Sequence, residues 1–556
     1  MYHERKVVGL DTETVNGEPY CFQWYSKTDS TVDSGITYCN KSNIWNRFLS
    51  RLAIWPTNTI VYCHNLEFDL AILFFPFMKY FRDNSFELDA PGFHANILYG
   101  KVNYAEITLH DKYYEIVDSF AYFKTSLAKV AEILGIESKM KKPRKLGTVK
   151  YEGKEKAYFE KYAMHDAFIS YHAGQRIQGF HRSYNVQSSI SAPNLSAKIL
   201  RKKFIPIGNS ITSCSPEIED AAVLSYHGGK NTLAVSPGIY KNVRMYDINS
   251  AYPYAMVSLP NFLNCDYSQT SKWTRDSKKI GIVNISGVSV ANVYNPLRDH
   301  NFGVVTGPFS DIWITTYELN CLIRHKMLSE FVVNEAFYVE EKCKEPNPLR
   351  DFVVEFFGMK QTTTGVEREF YKMMLNSLYG KFIQTTGNVQ EDNVLEDKQF
   401  FQAGGLWNPM IATLITGFVR SYLTELEVKY KSLHSSTDSI VTHSQIKCSK
   451  QLGALSLKSW GTIILIRPKF YLLYNAKRQI VSYATHGYHG NLKSLLSLLQ
   501  SGKRTYAHQH MTKIREGYIQ QKKPFVMETL FKKINIPIEG KMNIPNLTYD
   551  KPKYQI

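Results

Sequence analysis

Apolar residues along the chain fall into short runs that stop at acidic or polar residues, and into longer stretches at helical spacing. Residues 7–10 form one such run and lead into Asp11-Thr-Glu13. An extended chain puts these two carboxylates, two residues apart, on the same side. A second run, 60–63, predicts a strand that passes into a helix-like segment carrying His64, Asn65, Phe68 and Asp69. Residues 127–134 predict a helix stopped by Gly135. Residues 158–171 predict another, with Tyr162 and Asp166 one turn apart. Further along, 239–245 predict a strand, interrupted by lysine and arginine, that ends at Asp247. Ser250 to Pro253 then turns the chain, because proline cannot continue a ladder and restricts Tyr252 before it. Residues 372–380 are helical in pattern, with Lys372, Asn376 and Tyr379 at i, i+4 and i+7 on one face. Ser-Thr-Asp-Ser at 436–439 lies between apolar segments and predicts a hairpin tip carrying Asp438. Residues 408–422 predict a buried helix.

Composition narrows the partner. The 556 residues are 44% hydrophobic and 21% charged, which suits several packed domains. Lys and Arg number 67 against 50 Asp and Glu, a formal charge of +17 that favours a polyanionic partner. Apolar runs such as 70–78 are too short to span a bilayer, and no apolar signal segment follows the first residues, so nucleic acid is the expected partner and no membrane is. The eight cysteines are scattered without a Cys-x-x-Cys pair, which implies neither a zinc site nor a disulfide frame and fits a reducing, intracellular setting. There is no internal repeat or low-complexity tract.

Two acidic constellations carry the candidate chemistry. Asp11, Glu13, Asp69 and Asp166 can converge on a metal pair that activates water against a phosphodiester, with Tyr162 orienting that water. Asp247 and Asp438 can hold two magnesium ions that align a hydroxyl and neutralise a phosphoryl group, while Lys372, Asn376 and Tyr379 meet a triphosphate and a base. Taken singly, each acid reads as a solvated residue and 372–380 as an ordinary amphipathic helix. The paired glycines at 228 and 229 allow close backbone approach to a phosphate, or make a simple turn. The basic run 139–145 reads as a solvated loop.

In this order, Tyr-Asp-Ile-Asn-Ser-Ala-Tyr-Pro at 246–253, the Lys-x3-Asn-Ser-x-Tyr-Gly stretch at 372–380 and the 436–439 tip resemble motifs A, B and C of family B DNA polymerases. Arg-Pro-Lys-Phe-Tyr at 467–471 resembles the Lys-x-Tyr motif that follows. The acids at 11, 13, 69 and 166, with Tyr162, resemble the three motifs of DEDD-type 3′→5′ exonucleases in the tyrosine variant. Segments 296–348 and 383–407 look like the two insertions of the protein-primed group of viruses and linear plasmids.

The resemblance implies an α/β multi-domain fold: an RNase H-like exonuclease domain (1–185) followed by a right-hand polymerase with two insertions. The remaining parts would be first palm (186–260), insertion 1 with palm segments (261–355), fingers (356–382), insertion 2 (383–408), second palm (409–483) and thumb (484–556). It implies metal ligands at Asp247, Ile248 and Asp438 and at the four exonuclease acids, with two Mg2+ or Mn2+ per site and dNTP substrates. Ser250, Ala251, Tyr252, Lys360, Lys372, Asn376 and Tyr379 would bind the nucleotide, Tyr252 lying under the sugar to exclude a 2′-hydroxyl. Thr14, Tyr62, His64, Asn65, Phe68 and Ser119 would hold a frayed strand. For Ser119, Ser126 is the alternative by letters, and for Tyr62 and Phe68 plain core packing is the alternative. Tyr226, Gly228, Gly229, Ser377, Gly380, Lys469 and Tyr471 would contact DNA, and a catalytic exonuclease lysine would lie near the basic run 139–145 without an assignable position. Lys532, Lys533, Lys551 and Lys553 suit contacts to duplex phosphate. The expected partners are template and primer DNA, a terminal protein supplying the priming hydroxyl and a single-stranded DNA-binding protein, around a monomeric polymerase that displaces strand while replicating a viral or linear-plasmid genome.

One position departs from the pattern. Motif C normally opens on Asp, and here Ser436 stands there, removing a negative charge beside the metal site. Two other readings stand beside the protein-primed polymerase: a family B polymerase using nucleic-acid primers, since protein priming rests on the two insertions, and a DNA-binding exonuclease whose polymerase half is disabled at Ser436.

Overall fold

The computed structural model describes residues 2–82, 84–100, 102–271, 279–299, 301, 303–386, 402–512, 516, 527–536, 541–542 and 544–549. The first apolar run becomes the strand Val7–Val15, which continues through both acids. It sits inside an eight-stranded sheet ordered Val32–Tyr38, Glu18–Lys27, Val7–Val15, Thr59–Cys63, Lys112–Asp118, Tyr104–Leu109, Phe93–Leu98, Ser85–Ala90. The three central strands run parallel, and the flanking hairpins are antiparallel. The predicted helix at 158–171 is the middle of a longer one, Gly153–Ser183, laid across Val7–Val15. Gly9 makes that approach possible, since a Cβ there would lie 2.1 Å from the Ala167 carbonyl oxygen. The close crossing is what brings Asp166 to the strand acids.

A second, seven-stranded sheet is ordered Ile480–Thr485, Phe470–Tyr474, Leu455–Arg467, Gly238–Ile248, Ser439–Thr442, His434–Ser436, Asn231–Leu233. Asp247 lies at the end of its central strand, as predicted. After it the chain does not make a simple turn. Ser250 adopts a left-handed φ of 53° and caps the helix Ala251–Val257, with Pro253 in the first turn where a missing N–H costs nothing. The buried helix expected at 408–422 runs on to Tyr430, as Pro409–Tyr430.

Between these elements in sequence, the segment read as insertion 1 forms a four-stranded sheet, Asp266–Thr270, Leu328–Glu340, Gly281–Ser289, Gly307–Thr315, with the helix Thr316–Arg324 packed on it. Glu318 of that helix pairs with Arg420 of Pro409–Tyr430 at 2.8 Å in a buried contact, which ties this four-stranded unit to the buried helix. Two helices, Pro348–Thr362 and Gly365–Ser377, pack on each other and precede the 379–383 turn. The first of these helices starts at Pro348, ahead of the 356 at which the fingers were expected to begin. The helix pair leans on the end of the long helix Gly153–Ser183, where the C-cap residue Tyr184 stacks on Phe356 at 5.6 Å.

The arm expected at 383–407 lies largely outside the described residues, and its base pairs Thr385–Thr386 with Gln402–Ala403. In the last segment the helix Leu492–Ser501 and the hairpin Thr505–Met511/Met527–Lys533 share a core with Ile464, Phe470 and Leu472 of the palm sheet. Lys532 and Lys533 lie on that hairpin, whereas Lys551 and Lys553 fall outside the described residues. Among the described residues no helix is long and apolar enough to cross a membrane.

Candidate active sites

The strand Val7–Val15 and the helix Gly153–Ser183 bring carboxylate oxygens of Asp11, Glu13 and Asp166 within 4.8 Å of one another. Asp69 stands behind them, fully buried, and accepts from the Thr12 hydroxyl at 2.8 Å. Asp11 accepts from the Gln23 amide at 2.6 Å. Burial pushes all of these carboxyls upward, joined by repulsion from neighbouring acids at Asp11, Glu13 and Asp69: Glu13 to about 7, Asp69 to about 8, and Asp11 and Asp166 in the same direction. Lys139 donates to Asp166 at 2.6 Å, and its ammonium lies 5.3 Å from the Tyr162 ring centre. Lys139 is thus a lysine of the basic run that reaches the acidic cluster. Its only signal was the basic run, which is not simply a solvated loop. Tyr162 is buried, and burial together with the Asp166 charge pushes its hydroxyl well above the usual range.

The residues expected to hold a frayed strand divide. Asn65 is exposed, in a left-handed conformation before the helix Leu66–Leu73, and Phe68 is half-buried on its first turn. Thr14 is nearly buried, at a register shift between Glu13 and Thr14. Tyr62 is fully buried, with its hydroxyl accepting from Gln178 at 2.8 Å and its ring against Gly174. It is a core residue, because its position on Thr59–Cys63 faces the long helix and not the cleft. Ser119 is also fully buried, and its hydroxyl bonds His64 Nδ1 at 2.9 Å, while His64 Nε2 meets the Thr125 carbonyl at 2.8 Å. Burial pushes His64 down to about 4, so the ring is neutral and both nitrogens are engaged within the protein. Ser119 and His64 thus brace the site instead of presenting donors to a strand. Ser126 is the N-cap of Leu127–Leu134.

The palm centre follows from register. Asp247 pairs with Ser439, one residue past the hairpin turn, and the Asp438 carbonyl accepts from Ile248 N–H at 2.8 Å. The turn residue Thr437 takes a φ of 56°, its N–H held by the Lys230 carbonyl at 2.8 Å. Gly229 packs against this turn; a Cβ there would lie 2.8 Å from Thr437 and 3.2 Å from the Tyr252 hydroxyl. Burial, then the Asp247 charge, pushes Asp438 up to about 6. Ser436 donates to Asn231 at 3.2 Å. Lys458 Nζ lies 3.0 Å from Asp247 Oδ2.

Beneath the hairpin, Lys230 and Glu427 form a fully buried ion pair, and Glu427 also accepts from Ser435. Arg420 bonds the carbonyls of His227 and Gly228, fixing the segment between Tyr226 and Gly229. Neither pair had a local sequence signal, since the partners lie some two hundred residues apart.

Tyr252 and Tyr379 stack in parallel, ring centres 4.2 Å apart at 4°. Tyr379 does so from a 3-10 turn beyond the helix, which ends at Ser377. Lys360 reaches from the helix Pro348–Thr362 to the Ser250 hydroxyl at 3.0 Å. Its pKa is lowered by burial and by the nearby charges of Arg368 and Lys372. Arg368, one helical turn before Lys372, joins the cationic face and was not singled out from sequence. Lys372 and Asn376 are exposed, with Lys372 3.4 Å from Glu369. Ala251 and Ile248 are buried, Gly380 has open space around it, and Ser377 bonds Ser196 at 2.9 Å. Lys469 takes a left-handed φ of 57° at the turn before Phe470–Tyr474. Tyr471 is nearly buried, packed against His434 with its hydroxyl toward Ser482, so it lines the palm interior and offers no stacking face.

Asp166 Oδ1 and Asp247 Oδ1 are buried oxygens with no hydrogen-bond partner among the described residues. Clustered carboxylates with unused oxygens are the donors that hard divalent cations take. The residues therefore fit such an ion at both centres.

A sequence model described as DNA polymerase type B, organellar and viral, matches residues 164–404. A DNA-directed DNA polymerase of Enterobacteria phage PRD1 is 23% identical over 465 residues, 75% of this chain and 73% of that protein. A "Probable DNA polymerase" of Agaricus bitorquis is 26% identical over 208 residues, but the match spans only 26% of its length. In Neurospora intermedia the corresponding match spans 23% of the protein. The fold is similar to that of Phi29 DNA polymerase complexed with primer-template DNA, at 16% identity and a TM-score of 0.66, covering 96% of this chain and 100% of that one.

Proposed function

We propose that this chain, a relative of the organellar and viral type B DNA polymerases, is a template-directed, protein-primed DNA polymerase with a 3′→5′ proofreading exonuclease. The observation that carries the reading is that the stacked Tyr252 and Tyr379 lie within electrostatic reach of Asp438, which feels the charge of Asp247, while Lys360, beside Arg368 and Lys372, bonds Ser250 two residues before Tyr252. A triphosphate needs cations along its length and a base needs an aromatic wall, and this cleft offers both.

Divalent ions held by Asp247 and Asp438 would supply charge neutralisation at the phosphoryl group and acidify the attacking hydroxyl. The chain's own residues do the rest. Lys360 and Lys372 grip the triphosphate, and Tyr379 packs the incoming base. Tyr252, wedged between Gly229 and Tyr379, leaves no room for a 2′-hydroxyl. At the other centre Asp11, Glu13 and Asp166, with Asp69 behind them, would hold the ions, Tyr162 would orient water and Lys139 fixes Asp166.

Protein priming is supported by the four-stranded unit within 261–355 and by the pairing of Thr385–Thr386 with Gln402–Ala403, in the order that the resemblance calls for. Transfer of a labelled deoxynucleotide to a serine, threonine or tyrosine of a co-encoded terminal protein tests it. No transfer, with normal extension of a DNA primer, would favour nucleic-acid priming. A strand-displacing monomer replicating a viral or linear-plasmid genome, aided by a single-stranded DNA-binding protein, completes the reading.

Ser436 is the one feature favouring a disabled polymerase half. Its hydroxyl is turned to Asn231 while Asp438 keeps its place, so the site retains both carboxylates. Ser436→Asp is expected to preserve or raise extension, and loss of extension would contradict a tolerated variant.

A further inference from the structure

Lys458 is the extra residue of a β-bulge. Met245 pairs with Ser459 and Tyr246 with Leu457, so the partner strand skips Lys458 as it passes the central strand. A bulge re-aims the side chain it carries. Here it sends the ammonium to 3.0 Å from Asp247 Oδ2, while Asp247 Oδ1 stays buried without a partner. The side chain is about half exposed, so it can leave the carboxylate without disturbing the core. At the neighbouring hairpin position Ser436 supplies a neutral hydroxyl. Two carboxylates facing one ammonium carry half the net charge that the pair alone would present to a cation.

We propose that Lys458 is a resident counter-cation of the polymerase carboxylates, which a divalent ion must displace from Asp247. Metal uptake then depends on the incoming triphosphate, whose own charge brings the ion in and offers the ammonium another partner. Lys458 is a positioning residue acting through Asp247. The inference rests on the reading of Asp247 and Asp438 as metal ligands.

The test is Mn2+ binding to the full chain without nucleotide, read by electron paramagnetic resonance of the free ion. The exonuclease centre is silenced by Asp11→Ala and Asp166→Ala so that the palm centre is read. Lys458→Met is expected to tighten Mn2+ binding about tenfold, and Lys458→Arg, which keeps the charge, to leave it weak. With dATP present the gap between Lys458→Met and the parent is expected to narrow. Unchanged or weaker binding in Lys458→Met, in a protein whose melting temperature is unaltered, overturns the proposal. Adding Asp247→Ala to Lys458→Met separates the two levels of the argument. Loss of the bound ion there keeps the polymerase centre as a metal site, whereas retained binding overturns that reading as well.

Discussion

The rings of Tyr252 and Tyr379 lie parallel with centres 4.2 Å apart, one from the palm and one from the turn that ends the fingers. The stack closes one side of the nucleotide cleft, and Gly229 backs the Tyr252 hydroxyl. Tyr252→Val is expected to lower discrimination against ribonucleotides roughly tenfold or more, because the wall that meets the sugar is gone. Single-nucleotide incorporation with dNTP and rNTP pairs reads this directly. Unchanged sugar selection would remove Tyr252 from that role.

Lys139 is held between Asp166 and the Tyr162 ring. Lys139→Ala is expected to slow primer degradation by roughly 10- to 100-fold while leaving extension unchanged, since the ammonium is the cation offsetting the buried acids. Equal loss of both activities would point to a folding defect.

The exonuclease acids make the metal-free protein sensitive to pH. Glu13 at about 7 and Asp69 at about 8 hold protons in the folded state that the unfolded chain releases near its ordinary carboxylate pKa of roughly 4. The folded state binds more protons across that interval, so its stability is full at lower pH and falls as pH rises from roughly 4 to 8. In EDTA the melting temperature is expected to drop by a few degrees between about pH 5 and 8. Magnesium is expected to restore it at pH 8, and Asp69→Asn to flatten the dependence. A rising melting temperature over that range would contradict the assignment.

Lys230 and Glu427 are fully buried as a pair beneath the hairpin. Lys230→Met leaves Glu427 as an uncompensated buried charge, which costs about 3–5 kcal/mol. The double change Lys230→Met with Glu427→Leu is expected to recover much of that loss in urea unfolding. Additive losses would mean that the two residues act independently.

Much of the site was legible because strand ends, turns and caps are local. The acids at 11, 13, 247 and 438 sit at the places that the apolar runs marked, and Gly135 stops its helix as expected. What failed was orientation. Tyr62 alternates to the helix-facing side of its strand, and Ser119 turns inward to His64, outcomes that depend on how the long helix crosses the sheet. Lys458 was invisible for a related reason, since only the bulge between distant strands aims it at Asp247.

The central claim is that one chain carries two separate carboxylate centres, one that adds nucleotides and one that removes them. A labelled primer–template incubated with magnesium, with and without dNTPs, tests it on one gel. The expected result is extension with nucleotides and shortening without them, with Asp438→Ala losing only the first and Asp166→Ala only the second. Shortening under both conditions by the unaltered chain, persisting with a protein primer and with manganese, would contradict it.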